Sequence, residues 1–312
     1  MAEYDVIIIG GGPAGLTAAL YTSRKKLKTL IISIDIGGQT LLTDNIENYP
    51  GFDSIPGPEL MAKFQSQATK FGAEVIMGET NNVTKLDDKT FEVELSNGEK
   101  YIGKTVIVAS GKTARKIGVP GEDKFMGRGV STCATCDAAF FKDKTVVVIG
   151  GGNSAFEATE LLTKFAKKIY LVHHTDKFRA DEITVDKIKD MAKVEIITFS
   201  KINEINGDKV VESVNIENLE SGNVDEIKVD GVFIEIGYEL QTDWIKELVK
   251  RNEMNELVID DRCNTSQKGI FAAGDVTTVP YKQTIISAGE GAKAGLEAYK
   301  YISGGSIAID WK

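Results

Sequence analysis

The sequence predicts an α/β fold built from two similar units, and three observations lead to this prediction. An apolar run at 5–10 is followed by GGGPAG, a helical pattern and a second apolar run, KTLIIS. The same order returns later in the chain, where KTVVVIG at 144–150 precedes GGNSA, a helical pattern and IYLVHH. Short apolar runs bounded by turn signals occur between and after these units, without a low-complexity linker. Strands that alternate with helices in this way indicate parallel sheets.

The first glycine motif has the spacing G-x-G-x-x-G at Gly10, Gly12 and Gly15, where a buried strand turns into a helix. In this context the first glycine permits a tight turn, and the second lets the backbone approach a pyrophosphate. The third glycine allows helix and strand to pack closely, and the helix N-terminus faces the anion. The pattern therefore favours a dinucleotide-binding unit over an unrelated glycine-rich turn.

A second motif, G-x-G-x-x-A, is formed by Gly150, Gly152 and Ala155. Two such motifs indicate either two dinucleotides, or one dinucleotide and a second fold kept for packing. We therefore predict an α/β protein with two Rossmann-like (three-layer ββα) dinucleotide-binding domains, the second inserted into the first. The predicted boundaries lie in short loops, so that the first domain spans 1–114 and 243–312 and the inserted domain spans 115–242.

Composition and charge exclude several classes of protein. A chain of 312 residues is long for a single core, which favours two domains. The formal net charge of -9 argues against nonspecific nucleic-acid binding, which needs basic patches. No apolar run is long enough for a membrane span, and Glu3 and Asp5 stand where a signal peptide carries positive charge. We expect a cytoplasmic protein that binds neither nucleic acid nor membrane.

Two of the three cysteines lie together in the stretch STCATCDAAF, as Cys133 and Cys136. A structural zinc site needs four ligands, and the chain adds only Cys263 and the histidines at 173–174, in distant segments. Two inert buried cysteines are another possibility. We favour a redox dithiol, because C-x-x-C at a helix start stabilises a thiolate. Asp137 would then move protons to and from the thiolates, or would only complement the helix dipole.

The ordered series GGGPAG, GGQ, ENYPG, CATCD, GGGNSA and AAGDV, followed by Gln283, resembles the low-molecular-weight thioredoxin reductases. These are flavoenzymes of the pyridine nucleotide–disulfide oxidoreductase class. The resemblance covers essentially the whole chain, and CATCD between the two nucleotide motifs is its most specific part. It implies an FAD-containing homodimer that reduces the disulfide of a thioredoxin-like protein.

By this resemblance, FAD is held by the first glycine motif, by GGQ and ENYPG, and by the AAGDV turn with the helix that follows. Asp275 would bond the ribityl chain, although Gly-Asp is also common in turns. Gln283 would stand at the start of the last helix, whose N-terminus stabilises negative charge on a reduced flavin. The expected FAD-binding residues are Gly10, Gly12, Pro13, Ala14, Gly15, Gly38, Gln39, Asn48, Gly274, Asp275, Gln283 and Thr284.

The same resemblance gives the cysteines separate roles. Cys136 would receive electrons from the reduced flavin, and Cys133 would attack the disulfide of the partner. Asp137 would serve as the proton carrier. Because one pair must reach both a buried flavin and a bulky protein, the resemblance implies that the inserted domain rotates on its two connections.

The chain departs from the family after the last strand of the second unit. NADPH-dependent members carry H-R-R-x-x-x-R there, whereas this chain reads HHTDKFR, with His174 and Thr175 in place of two arginines. Neutral side chains lose the bidentate pairing with a 2′-phosphate, so NADPH is expected to bind poorly. The expected NAD(P)H-binding residues are Gly150, Gly152, Asn153, Ser154, Ala155, His174 and Arg179.

Three electron donors remain open at this point. NADH could bind through His174 or Thr175, NADPH could bind weakly through Arg179 and Lys177, or the donor could be ferredoxin or a deazaflavin. The acceptor is also open. A thioredoxin-like protein is the first expectation and another dithiol protein the second, while the third is a flavin-binding redox sensor without turnover.

Overall fold

The computed structural model describes residues 3–43 and 46–305. The chain divides into two compact units, Met1–Thr113 with Leu240–Lys312, and Ala114–Glu239. The predicted first domain also includes residues 1–2, 44–45 and 306–312, which lie outside the described residues. Each unit has its own parallel sheet and its own buried core.

The first unit combines long helices with strands of four to nine residues, apart from a short last strand. Its described helices are α1 (Pro13–Arg24), α2 (Gly57–Lys70) and α7 (Thr284–Ser303), with 3-10 turns at Gly38–Leu42 and Asp243–Ile245. Its described strands are β1 (Glu3–Gly11), β2 (Thr29–Ile36), β3 (Glu74–Met77), β4 (Thr80–Lys85), β5 (Phe91–Leu95), β6 (Lys100–Val108) and β17 (Ile270–Ala272).

The sheet of the first unit has the order β3-β2-β1-β6-β5-β4, and β17 pairs with β6. Strands β3, β2, β1, β6 and β17 run parallel, whereas β4 and β5 form an antiparallel extension. In the parallel part, Ile7 pairs with Leu30 on one side and Val106 on the other, and all three are fully buried. Strands covered on both faces need such uninterrupted apolar runs, which is how they appear in the sequence.

The second unit is built from shorter elements. Its described helices are α3 (Glu122–Phe125), α4 (Ala134–Asp137), α5 (Asn153–Leu162) and α6 (Glu182–Lys189), with a 3-10 turn at Ala138–Phe141. The strands from the entry into this unit to its exit are β7 (Thr113–Ala114), β8 (Val130–Ser131), β9 (Thr145–Ile149), β10 (Lys168–Val172), β11 (Val194–Ile197), β12 (Ser200–Asn206), β13 (Ser213–Asn218), β14 (Val224–Lys228), β15 (Gly231–Ile234) and β16 (Tyr238–Glu239).

Five of these strands form a parallel sheet in the order β11-β10-β9-β15-β8. Strands β12, β13 and β14 form a separate antiparallel sheet, and β7 pairs with β16. Both β1 and β9 are central strands that lead directly into a glycine motif and a helix, α1 and α5 respectively. The predicted α/β class with two Rossmann-like units is confirmed. Within the described residues, no helix has the length and apolar character that a membrane crossing requires.

Candidate active site

The first glycine motif joins β1 to α1. Gly10 adopts a positive φ of 113°, and a side chain here would overlap the main chain of Ala109. Gly12 caps α1, and a β-carbon on it would meet nothing closer than the Gly37 carbonyl oxygen, at 3.9 Å. Pro13 occupies the first turn of α1, where a helix has no partner for an N–H group. The motif thus leaves open space in front of the first turn of the helix.

The end of β2 borders this space and contributes residues that the sequence patterns did not single out. Ser33 is buried, and its hydroxyl accepts a 2.8 Å hydrogen bond from the Gly11 amide. Asp35 accepts a 2.7 Å hydrogen bond from the Gly38 amide, and Gln39 follows in the 3-10 turn. A polar side chain near the end of a buried strand is the signal that the sequence offers for both contacts.

The AAGDV turn and the start of α7 lie at the same edge of the first unit. The Gly274 amide donates a 2.8 Å hydrogen bond to the buried Glu290 carboxylate, and Asp275 accepts one of 3.1 Å from the Ser287 hydroxyl. A side chain on Gly274 would lie 3.0 Å from the β-carbon of Ala14. The turn is therefore held against both α7 and the first glycine motif.

Two further contacts bring predicted residues together at the start of α7. Asn48 donates a 3.2 Å hydrogen bond to the side-chain oxygen of Gln283, which caps the helix. The hydroxyls of Thr40 and Thr284 are 3.3 Å apart. All the expected FAD-binding residues lie in the first unit, at the carboxyl ends of its parallel strands, in loops, or in the first turns of helices.

These residues fit the ADP half and the sugar chain of FAD. Gly12 and Gly38 form a surface without side chains, since a β-carbon on Gly38 would lie 3.7 Å from the α-carbon of Gly12. The first amides of a helix such as α1 have no partner within the helix, so they attract a phosphate. Asp275 supplies a carboxylate that can accept hydrogen bonds from hydroxyl groups.

The two cysteines of the CATC motif form a disulfide in the second unit. Cys133 caps the four-residue helix α4 and Cys136 lies within it, with their α-carbons 5.3 Å apart. The amides of Cys136 and Asp137 each donate a 3.1 Å hydrogen bond to the Cys133 carbonyl oxygen, which closes the turn. Both cysteines are partly exposed. Within the described residues, no group of histidine, cysteine, aspartate and glutamate side chains is placed to hold a metal ion.

Asp137 follows the disulfide and is hydrogen-bonded to the side chain of Ser131 in β8. The Ser131 hydroxyl donates a 2.6 Å hydrogen bond to an Asp137 carboxylate oxygen. Burial raises the pKa of Asp137 above its usual value, and the hydrogen bond from Ser131 opposes this rise. A carboxyl group with a raised pKa exchanges protons more readily near neutral pH than an exposed aspartate does.

Glu235 is a second acidic residue at the CATC helix. It follows β15 and is buried, and one of its carboxylate oxygens accepts a 3.4 Å hydrogen bond from the Ala134 amide. Its carbonyl oxygen lies where a side chain on Gly150 would begin, and it accepts a 3.4 Å hydrogen bond from the Ser154 hydroxyl. Glu235 therefore contacts both the redox motif and the second glycine motif, and no sequence pattern indicated it.

The third cysteine differs from the pair in its surroundings. Cys263 is fully buried in the core of the first unit, and its thiol lies 3.6 Å from the Glu290 carbonyl oxygen. Burial raises the pKa of the Cys263 thiol to about 12. A thiol in this state is a poor nucleophile, since the thiolate is the reactive form.

The second glycine motif joins β9 to α5 and also leaves open space. Gly152 caps α5, and a β-carbon on it would have no neighbour within 4 Å. Asn153 and Ser154 are exposed in the first turn of α5, whereas Ala155 is buried against the sheet. This geometry fits the approach of a pyrophosphate to the helix start.

The HHTDKFR segment follows β10 and folds back on the second motif. The Arg179 amide donates a 2.7 Å hydrogen bond to the Gly151 carbonyl oxygen, and the His173 ring lies against the α-carbon of Gly151. The side chains of His174 and Arg179 are exposed. The Thr175 hydroxyl bonds the main chain of Lys177, with distances of 3.2 and 3.3 Å, so it stabilises the turn itself.

The His173 ring is enclosed by aromatic neighbours. Its centroid lies 4.3 Å from that of His174 and 5.6 Å from that of Phe178, which in turn packs on Phe156. Burial lowers the pKa of His173 below its usual value, and the neighbouring His174 lowers it further. Of the two histidines, only His174 therefore presents an exposed ring beside the motif.

This chain is similar to known proteins over almost its whole length. Residues 4–294 match the sequence profile of the family described as Pyridine nucleotide-disulphide oxidoreductase. Thioredoxin reductase from Bacillus subtilis is 45% identical over 301 residues, which cover 96% of this chain and 95% of the relative. Thioredoxin reductase from Listeria innocua is 44% identical over 301 residues, covering 96% and 94%. The crystal structure of thioredoxin reductase from Streptococcus pyogenes has a TM-score of 0.93 at 42% identity, covering 97% of this chain and 99% of that one.

Proposed function

Because the chain belongs to the low-molecular-weight thioredoxin reductase family of pyridine nucleotide-disulphide oxidoreductases, we propose that it is a flavin-dependent enzyme that reduces the disulfide of thioredoxin. The observation that carries this proposal is the Cys133–Cys136 disulfide beside Asp137, in the same unit as a second glycine motif. A disulfide with partly exposed cysteines and an acid next to it is suited to exchange with another protein.

The first unit binds FAD in this proposal. The glycine surface at Gly12 and Gly38 and the start of α1 hold the pyrophosphate, while Asp275 accepts hydrogen bonds from the ribityl hydroxyls. Gln283 and Asn48, which are bonded to each other, line the site at the start of α7. When bound and reduced by the donor, FAD would supply the two electrons that reduce the disulfide. The remaining residues of the site are those predicted above from the sequence.

The two cysteines pass these electrons to the partner by disulfide exchange. The Cys133 thiolate attacks one sulfur of the thioredoxin disulfide, so that a mixed disulfide forms and the other partner sulfur leaves as a thiolate. Cys136 then attacks the Sγ of Cys133, which releases the reduced partner and restores the Cys133–Cys136 disulfide. Two electrons reach the partner, and two protons complete its dithiol. Asp137 moves a proton at the cysteine pair, which its raised pKa favours.

We propose that the enzyme does not bind NADPH with high affinity as its electron donor. The chain has His174 and Thr175 where NADPH-dependent relatives are expected to have arginines, and the Thr175 hydroxyl is already bonded within its turn. Arg179 and Lys177 are the exposed cations of this segment. Open space at Gly152 supports a nucleotide site that still works, with NADH or weakly bound NADPH as its ligand. Ferredoxin is the alternative donor.

Rapid anaerobic mixing tests the donor. The bound flavin is expected to be reduced faster by NADH or reduced ferredoxin than by NADPH, as followed by loss of flavin absorbance. Fast and saturable bleaching by micromolar NADPH would contradict the proposed donor, while leaving disulfide reduction intact.

Three features of the assembly are also part of the proposal. The predicted domain formed by residues 1–114 and 243–312 is assigned to FAD. The predicted domain at 115–242 is assigned to NAD(P)H and carries the redox pair. The second rotates on its connections so that one disulfide serves both flavin and partner. The enzyme is a cytoplasmic homodimer. Cross-linking the two units should therefore slow turnover, and unchanged turnover would argue against the rotation.

Replacement of single cysteines tests the function itself. Cys133→Ser and Cys136→Ser are each expected to abolish thioredoxin reduction, whereas Cys263→Ser should retain it because that thiol is buried and has a raised pKa. The donor that reduces the flavin in the rapid-mixing experiment is supplied in excess as the electron source, and thioredoxin coupled to a disulfide dye reports dithiol production. A flavin-binding redox sensor would show no repeated turnover in this assay, and a reductase of another dithiol protein would turn over only with that protein. Retained activity in either active-site variant would refute the mechanism.

A further inference from the structure

Ser131 is bonded to both ends of the redox motif. It is 5% exposed and stands at the end of β8, where its main chain pairs with Phe233 of β15. Its hydroxyl donates a 2.6 Å hydrogen bond to Asp137 and accepts one of 3.1 Å from the Cys133 amide. Because a hydroxyl has a single proton, Ser131 cannot donate a hydrogen bond to the more distant Cys133 carbonyl oxygen, at 3.4 Å, at the same time.

We propose that Ser131 is a positioning residue for proton transfer at the Cys133–Cys136 pair, which holds the Asp137 carboxylate in place and ties it to the main chain of Cys133. The inference rests on the proposed function, in which Asp137 exchanges the proton. It adds a residue that the sequence motif did not include. Ser131 itself neither attacks a disulfide nor contacts the partner in this proposal.

The chemistry of the site explains why such a residue is needed. When an external dithiol attacks the disulfide, one S–S bond forms, the Cys133–Cys136 bond breaks, and the leaving sulfur takes a proton. Burial favours the protonated form of Asp137, and the Ser131 hydrogen bond favours the carboxylate, so the two effects act against each other on its pKa. The hydroxyl thus keeps Asp137 able both to give a proton and to take it back.

Among the residues that the structure describes, Asp137 takes part in no salt bridge, and its pKa is shifted by burial and by the hydrogen bond from Ser131. Glu235, at the end of β15, is the other acidic side chain bonded to this helix, through the Ala134 amide. The cysteines themselves titrate after reduction. Changing Ser131 therefore acts on Asp137 without breaking an ion pair.

The test uses the full chain with flavin bound and its disulfide oxidised. Dithiothreitol reduces the disulfide at a series of pH values, and quenching by alkylation followed by mass measurement gives the rate. Ser131→Ala is expected to move the inflection that belongs to Asp137 to higher pH by about one unit, since a hydrogen bond to a charged group is lost. Ser131→Thr keeps the hydroxyl and is expected to retain the wild-type inflection.

A double-mutant cycle separates positioning from a general structural effect. Asp137→Asn should remove the inflection, and adding Ser131→Ala to that variant should then shift nothing further. If Ser131→Ala changes the rate equally at every pH, the residue is only structural and the proposal is overturned. If Asp137→Asn leaves the inflection in place, Asp137 is not the proton carrier, and the proposed function fails at that step as well. Far-ultraviolet circular dichroism and flavin absorbance verify that each variant is folded and loaded.

Discussion

The carbonyl oxygen of Gly10 occupies the space in which a side chain on Gly15 would begin. This close approach lets α1 pack against the end of β1, and it is the structural reason for the third glycine of the motif. Gly12, two positions after Gly10, has an extended backbone and an open front. One motif therefore contains a glycine required by packing and another that the proposed FAD site requires.

Replacing Gly15 and Gly12 singly by alanine should separate the effect on folding from the effect on flavin binding. Gly15→Ala is expected to destabilise the first unit by about 1–3 kcal/mol, because the added methyl overlaps main-chain atoms that cannot move freely. Gly12→Ala should leave the free energy of unfolding nearly unchanged but lower FAD affinity, since its methyl points into the space for the pyrophosphate. Urea unfolding and flavin titration of the apoprotein measure the two effects. Equal loss of stability in both variants would contradict the distinction.

Much of the fold could be predicted because its signals are local. Gly10 follows an uninterrupted apolar strand and precedes a helix, and this order is visible in the sequence. The side chains that contact the CATC helix could not be predicted in the same way. Ser131 stands on a two-residue strand, and Glu235 is about 100 residues distant from the helix that it contacts. Their roles depend on the pairing of β8 with β15, which no short-range pattern specifies.

A second prediction concerns the ion pair beside the start of α7. Lys282 Nζ lies 3.0 Å from Glu256 Oε1, with side chains that are 16% and 14% exposed, and Lys282 also donates to the Thr277 carbonyl oxygen. Lys282→Met is expected to lower the free energy of unfolding by about 2–3 kcal/mol, because it leaves the Glu256 charge largely buried without its partner. Adding Glu256→Gln should recover most of the loss.

A surface pair provides the matched control. Lys116 and Asp123 are 2.6 Å apart, but their side chains are 59% and 77% exposed. Lys116→Met should therefore cost less than about 1 kcal/mol. Urea denaturation at fixed pH measures these three variants and the wild type. Similar losses for both lysine substitutions would show that burial of the Lys282 pair has no special effect.

A third prediction follows from the lowered pKa of His173. Below about pH 6.5, the ordinary histidine value, the unfolded chain binds a proton that the folded chain binds only at lower pH. Protonation therefore favours unfolding, so the stability of the second unit should fall as the pH drops below this value. His173→Gln should remove that part of the pH dependence. Urea midpoints of the variant and the wild type, compared at each pH, isolate the contribution of this ring, and a constant difference would contradict it.

The fourth prediction concerns the choice of nucleotide. In the proposed nucleotide site, the exposed His174 and the partly buried Thr175 stand where the family resemblance implies arginines for a 2′-phosphate. His174→Arg combined with Thr175→Arg should raise NADPH affinity at least about tenfold, because each guanidinium adds charged hydrogen bonds to the phosphate. NADH affinity should change little, since NADH lacks that phosphate. Nucleotide titration and anaerobic flavin reduction measure both. The control is Ser221→Arg with Asn223→Arg, which adds the same charge on an exposed turn of the same unit. If this control improves NADPH binding equally, the effect comes from net charge and not from recognition at the motif.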